Sequence, residues 1–391
     1  MIHIKNGKIV TPTEIIEGKV LLIEGDRIIG FADSTNGAEK VIDAHGRYIT
    51  PGFIDTHSDK IEQFIRPRPT SLMDYELALK ECERELLVQG ITTMYHSLTL
   101  YKNDFFGESP IRTKNSVLAL ANLIDSLHKR NHLIHHRFHL RIEIDNLEAF
   151  DIAKAMIVEK KVHQISFMDH TPGQGQYKNL EIYRKTISGY HGKEIETYGF
   201  EGVLQYHQSK VMLSFEQLKE LADLAHQNGI SVASHDDDCI EKLYINHDLG
   251  VDISEFPINI ETAKAAKEMG FYTVVGAPNI LLGGSHSGNM SASEAICGDC
   301  ADILCSDYYP SAILHSIFIM HQKYNIPLNQ MINRATLNPA IAMKIDDECG
   351  SIEIGKKADI LIIDILDGYP VITHCLVDGK ATCRIQYRRS L

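Results

Sequence analysis

The chain has 391 residues, 44% hydrophobic and 23% charged, with a formal net charge of -13. That length exceeds an ordinary single domain but fits one large α/β barrel with an appendage. The acidic balance disfavours nucleic-acid and anionic-membrane partners, although a local basic pocket could still hold an anionic small molecule. Neither end carries a signal peptide or a run of about 20 apolar residues, so a soluble cytoplasmic protein is expected. The eight cysteines are scattered, and Cys297-x-x-Cys300 has no second pair to complete a zinc ribbon; neither a disulfide framework nor a zinc ribbon is expected. Twenty histidines is the unusual count.

In chain order, residues 1–33 alternate apolar and polar side chains between turn signals at Asn6-Gly7 and Glu24-Gly25, a pattern of short antiparallel strands. The same pattern returns in "GSIEIGKKADILIIDILDGYPVITHCLVDGKATCRI", which predicts one small β domain, a β-sandwich built from residues 1–48 and 341–391. Between the two, β-branched runs alternate with amphipathic stretches such as 74–89 and 215–228, which implies a parallel sheet. Eight runs end in polar residues: "RYITPGFIDTH", "GITTMYHS", "FHLRIEI", "HQISFMDH", "ISVASHDD", "VDISEFP", "YTVVGAPN" and "ADILCSD". They predict a (β/α)8 barrel over residues 49–340. The alternative, a doubly wound open sheet, lacks the G-x-G-x-x-G that would support it after the first strand.

Barrel enzymes carry their chemistry at the C-terminal ends of the strands. There this chain places His57, Asp59, Glu143, His170, His235 and Asp307, all of metal-ligand type. Side chains at i and i+2 share a face of a strand, so His57 and Asp59 can meet one ion, with Asp55 one step deeper. A divalent ion on nitrogen and oxygen ligands with an open position lowers the pKa of its water to about 7, and a shared carboxylate holds two ions about 3.5 to 4 Å apart. Zn is the first expectation, with Mn, Fe and Ni suited to the same donors. Any one such residue at a strand end could equally be a loop hydrogen-bonder or a helix cap; six on five strand ends favour the metal reading. Asp307, in "CSDYYP", is the expected general base, since a carboxylate beside the metal water can orient it and take its proton. Asp236, Asp237 and Asp238 are expected to support His235 or start a helix. The histidines of "LHKRNHLIHHRFHL" (His128, His132, His135, His136 and His139) read as a solvated turn, while His96 and His286 have an even claim on the site.

"PGFIDTH", followed far downstream by His170, His235, Asp307 and "GSIEIGKKADILIID", resembles the amidohydrolase superfamily over essentially the whole chain. The resemblance implies a metal-dependent hydrolase on a (β/α)8 barrel with a terminal β-sandwich. It further implies two metal ions, one on His57, Asp59 and Asp307, the other on His170 and His235, with Glu143 bridging where many members use a carboxylated lysine. The first motif departs from the usual His-x-His, having Asp59 in the second place. Seven ordered motifs, "HSDKIEQFIRPRP", "HLRIEI", "SFMDHTPGQ", "SHDDD", "SEFP", "GAPNILLGGSHSGNMSA" and "ILCSDYYP", resemble the branch that serves alkylphosphonate utilisation, hydrolases that cut a ribose 5-triphosphate to the 5-phosphate and diphosphate. On that resemblance Lys60, Arg68, Gln174, Asn279 and His286 are the expected substrate-binding residues. Gln63 and Gly175 stand where that branch commonly has lysine and arginine, and Lys60, Arg66, Arg68 and Lys178 lie near enough in sequence to replace the missing charge. A neutral substrate would not need those cations, so hydrolysis or deamination at a C–N bond of a cyclic amide, amino acid derivative or nucleobase is the second expectation. A homo-oligomer is left open.

Overall fold

The computed structural model describes residues 1–100, 110–172, 175, 199–202, 204–206, 209–284 and 289–388. Eight parallel strands form one sheet in strict chain order: Phe53–Ser58, Ile91–Leu100, His135–Glu143, Gln164–Met168, Ser231–His235, Ile253–Glu255, Tyr272–Gly276 and Ile303–Cys305. These are the first to eighth barrel strands below. The sheet closes on itself where Ser58 bridges Asp307 in parallel, the Asp307 N–H donating to the His57 carbonyl (3.0 Å) and the Asp59 N–H to the Asp307 carbonyl (2.9 Å). Each strand overlaps one of the eight predicted runs.

Two of the intervening helices start where their sequences have good caps. Asp74 accepts from the Leu77 N–H ahead of Tyr75–Val88, and Ser214 with Gln217 forms a capping box ahead of Phe215–Gln227. Their apolar faces, including Leu79, Leu86, Leu218 and Leu221, join the main core between helices and strands. Inside the barrel, Ile54, Tyr95, Ala233, Ile253, Val274, Ile303 and Cys305 make a separate apolar plug. Side chains alternate along each strand, so Ala233 is followed on the same face by His235, Ile253 by Glu255 and Cys305 by Asp307. The plug is therefore the floor of the polar site above it.

Both termini build the remaining sheets. One has the order Arg27–Ala32, Val20–Glu24, Ile2–Lys5, Lys40–Asp43; the other runs Lys380–Arg384, Tyr369–Val377, Ile360–Leu366, Tyr48–Pro51, Lys8–Val10, Ile15–Ile16. Ile4, Leu21, Ile23, Ile49, Ile360 and Ile362 fill the space between them, forming a sandwich. The run "RYITPGFIDTH" is thus two strands, not one: Tyr48–Pro51 belongs to the terminal sheet and Phe53–Ser58 to the barrel. Gly52 is the crossing point, and a Cβ there would come within 2.1 Å of Thr92 Oγ1, so only glycine lets the chain pass this close.

The solvated turn holds for His128 and His132, which precede the third strand, and is corrected for His135, His136 and His139. His135–Glu143 is the third barrel strand, with His136 and His139 completely buried. His139 faces the interior and its ring contacts Ser97 Oγ (3.1 Å) and Ser166 Oγ (2.9 Å). His136 faces the helical layer, linking His96 Nε2 (2.9 Å) to Glu83 Oε2 (3.1 Å). That contact also takes His96 away from the barrel mouth.

Candidate active site

The six predicted ligand-type residues converge at one end of the barrel. His57 is buried at the end of the first strand, its ring 5.2 Å from that of His139 and 5.4 Å from that of His235; the His170 and His235 rings are 6.4 Å apart. Glu143 ends the third strand and meets His170 Nδ1 at 2.8 Å. Phe256 packs against both His57 (5.0 Å) and His235 (5.1 Å), fixing their planes. Asp307 follows the eighth strand at φ 57, a left-handed conformation that Asp tolerates better than most residues and that is stored strain at a functional position. Its carboxylate packs beside Gly276, and Asp59, cap residue of the helix Lys60–Ile65, is held to it through the backbone.

Charge is crowded here, and the protonation preferences follow from the crowding. Burial, reinforced by the neighbouring Asp59, Asp55 and Asp236 and opposed by Arg141, pushes the Asp307 carboxyl up to about 7. Burial likewise lifts Asp55 to about 6, against the pull of the Ser306 and His57 N–H groups that its Oδ1 accepts (3.0 and 3.4 Å). His57 is driven well below its ordinary value, first by burial and then by its neighbours Arg141 and His235, so its imidazole is neutral. At His170 burial works against the charged ring, but the Glu143 carboxylate outweighs it and the pKa is raised. Glu143, conversely, is lowered despite its burial, by His170, Arg141 and Arg112.

One member of the site was missed. Glu255, which lies in "SEFP" and drew no role of its own from the sequence, is completely buried at the end of the sixth strand, held by Gln164 Nε2 (3.1 Å) with its Oε1 3.0 Å from His57 Nδ1. The signal was available, because Glu255 stands two residues after inward-facing Ile253 at a strand end. His57, His139 and Glu255 bring their ligand atoms within 4.8 Å of one another. His139 spends both ring nitrogens on hydroxyl and carbonyl neighbours, so His57 and Glu255 are the better donor pair.

The donor set fits a divalent cation. His57 Nδ1, His235 Nδ1, Glu255 Oε2 and Asp55 Oδ2 are all buried without a hydrogen-bond partner. Orphaned buried polar atoms are costly, and a cluster of nitrogen and carboxylate donors left unsatisfied together is what an ion would relieve. His235 Nδ1 lies 2.8 Å from Asp236 Oδ2 without hydrogen-bonding geometry, and Asp236 itself has φ 54. Asp237 points away from the donors and ties the fifth strand to the following helix, accepting from Ser234 Oγ (2.6 Å) and Asn246 Nδ2 (2.8 Å).

The expected substrate-binding residues are placed less uniformly. Lys60 is paired with Glu85 (2.9 Å) and donates to Gln63 (3.2 Å); Arg68 is exposed beyond the helix Lys60–Ile65. The Asn279 amide is used internally, accepting from the Ala292 N–H (3.0 Å) and donating to the Met290 carbonyl (3.3 Å). Gln174, Lys178 and His286 lie outside the described residues. Gly175 adopts φ +53, and an added Cβ would touch the Asp236 carbonyl at 3.3 Å.

Comparison with known proteins agrees with this architecture. The Amidohydrolase family model matches residues 48–383. The chain is 33% identical over 384 residues to the alpha-D-ribose 1-methylphosphonate 5-triphosphate diphosphatase of Escherichia coli, covering 96% of this chain and 99% of that protein. It is 22% identical over 390 residues to a 5'-deoxyadenosine deaminase of Methanobrevibacter smithii, covering 93% and 84%. Among solved structures, a molinate hydrolase superposes with a TM-score of 0.66 at 15% identity, covering 100% of this chain and 98% of that one.

Proposed function

Because the chain belongs to the amidohydrolase family, we propose that it is a metal-dependent diphosphatase that hydrolyses α-D-ribose 1-methylphosphonate 5-triphosphate to the 5-phosphate and diphosphate in alkylphosphonate catabolism. The observation that carries the reading is end-to-end identity, 33% over 96% of this chain, to a protein of that activity. His57, Asp59 and Asp307 would hold one ion and His170 and His235 the other, with Glu143 shared and Glu255 beside His57. Bound divalent ions supply Lewis-acid polarisation and a water acidified towards neutrality. The protein's own part is positional. Phe256 packs against His57 and His235, and Glu143 fixes His170. Asp307 would take the proton of the attacking water and pass it to the departing diphosphate.

The test is diphosphate release from a ribose 5-triphosphate analogue by protein reconstituted with Zn, Mn, Fe or Ni. A second reading, hydrolysis or deamination at a C–N bond, is favoured by the weaker full-length similarity to the 5'-deoxyadenosine deaminase. No diphosphate release with any metal, together with turnover of a cyclic amide or nucleobase, would replace the first reading with the second.

A further inference from the structure

We infer that Arg141 is the cation that receives the substrate's phosphate oxygens, a role that rests on the phosphoanhydride reading above. Arg141 lies on the third barrel strand between His139 and Glu143, and alternation puts all three on the inward face. Two residues before it on that face, His139 meets Ser97, Ser166 and Glu255 inside the barrel; two residues after it, Glu143 meets His170. On that face Arg141 thus comes between His139, which meets Glu255, and Glu143, which meets His170.

Its bonding is incomplete. Arg141 Nε is shut off from solvent and has no hydrogen-bond partner, and the residue forms no ion pair among the described residues. An arginine Nε–H closed off from water and left without an acceptor costs free energy. Among the described residues, three other cations near the site are engaged. Arg112 grips Glu62 through Nε and Nη2 (2.9 and 3.0 Å), Lys60 pairs with Glu85, and Lys242 donates to the His235 carbonyl (3.3 Å). Arg141 thus supplies charge that Gln63 and Gly175 do not.

Electrostatics supports the placement. The positive charge of Arg141 is felt at His57, His139, Glu143, His170 and Asp307, on the first, third, fourth and eighth strands or just beyond them. Without cations in the site, the surrounding carboxylates balance it. Once divalent ions neutralise those carboxylates, the guanidinium loses its counter-charge and an incoming anion restores it. A planar fork of donors suits a phosphate group, which it can hold through two parallel hydrogen bonds.

The experiment measures calorimetric affinity of the metal-loaded protein for inorganic triphosphate, with metal content determined in parallel, for wild type, Arg141→Gln and Arg141→Lys. Arg141→Gln is expected to keep its metals and bind triphosphate about ten- to a hundredfold more weakly. Arg141→Lys should recover part of that loss and, in the diphosphatase assay, raise KM far more than it lowers kcat. Triphosphate affinity within twofold of wild type in metal-replete Arg141→Gln overturns the inference and leaves the diphosphatase reading standing. If Arg141→Gln does not fold, an unchanged affinity and KM in Arg141→Lys overturns it equally. A wild-type protein that binds metal and turns over a cyclic amide but does not bind triphosphate overturns the phosphoanhydride reading, and the role of Arg141 with it.

Discussion

At the scale of single residues the site turns on a few protons. Asp307→Asn keeps the shape of the side chain and one of its oxygens but removes the proton acceptor; turnover should fall by about 10²–10⁴ with metal content nearly unchanged, and a near-normal rate would exclude Asp307 as the base. Glu143→Ala should release at least one equivalent of metal, measured after native purification, because the carboxylate that meets His170 is also the residue proposed to be shared. Metal uptake should displace protons in a pH-dependent way. In the protein alone Asp307 holds its proton up to about 7, and Glu143 raises the pKa of His170 above its ordinary value. Both must be deprotonated to bind a cation, so calorimetry in buffers of different ionisation enthalpy should find proton release large near pH 6 and falling as pH rises through about 7. His57, already neutral, adds nothing. Proton release that is flat across this range would refute the assignment. The ligand-type residues were legible because a polar letter after an apolar strand run is conspicuous. Glu255 was not, because a single carboxylate in a three-residue strand looks like the start of a loop.

At the scale of elements the third strand is only partly legible: its end is expected from "FHLRIEI", but its start reads as part of a solvated turn. In most barrel strands the interior-facing residues are branched apolar ones, and the polar residue comes last. Here the order is inverted over the whole strand: His135, Arg137, His139, Arg141 and Glu143 face inward, while Phe138, Leu140 and Ile142 join the core between strand and helices. The period-two pattern marks residues 138–144 as a strand, but the density of histidine and arginine just before them resembles a solvated surface. At the lower end of the same strand, His135 Nε2 lies 3.2 Å from Asp359 Oδ2 and 3.5 Å from Asp378 Oδ1, joining the barrel to the terminal sheets. Asp359 also accepts the Asp378 N–H (2.8 Å), and Lys357 pairs with Asp378 (3.1 Å). Asp359→Ala strands that N–H and weakens the clip. We expect about 1–3 kcal/mol of lost stability in urea unfolding, with metal affinity at the opposite end of the barrel unchanged. A loss below about 0.5 kcal/mol, on the order of a surface substitution, would show the clip to be incidental.

For the whole molecule, the strand-rich ends and the alternating middle were readable as two architectures, but not how completely they share a core. The strand Ile360–Leu366 is buried on both faces. Ile360 and Ile362 lie in the sandwich with Ile4, Ile9 and Leu21, whereas Leu361 and Ile363 belong to the main core that carries the barrel helices. Leu361 and Ile372 press on the turn at Gly90 that leads into the second barrel strand, where an added Cβ would meet their Cδ1 atoms at 2.9 and 2.5 Å. A strand that serves two cores couples them, because neither can lose it and stay packed. Leu361→Ala should therefore cost about 2–5 kcal/mol, the range for a buried leucine truncation. Although the change lies in the terminal sheet, it should lower the stability of the barrel by the same amount. Far-UV circular dichroism and metal release would then report one coincident transition, shifted together relative to wild type. If the sandwich melted first while the barrel kept its metal to the wild-type midpoint, the two modules would be independent and the shared strand would not couple them.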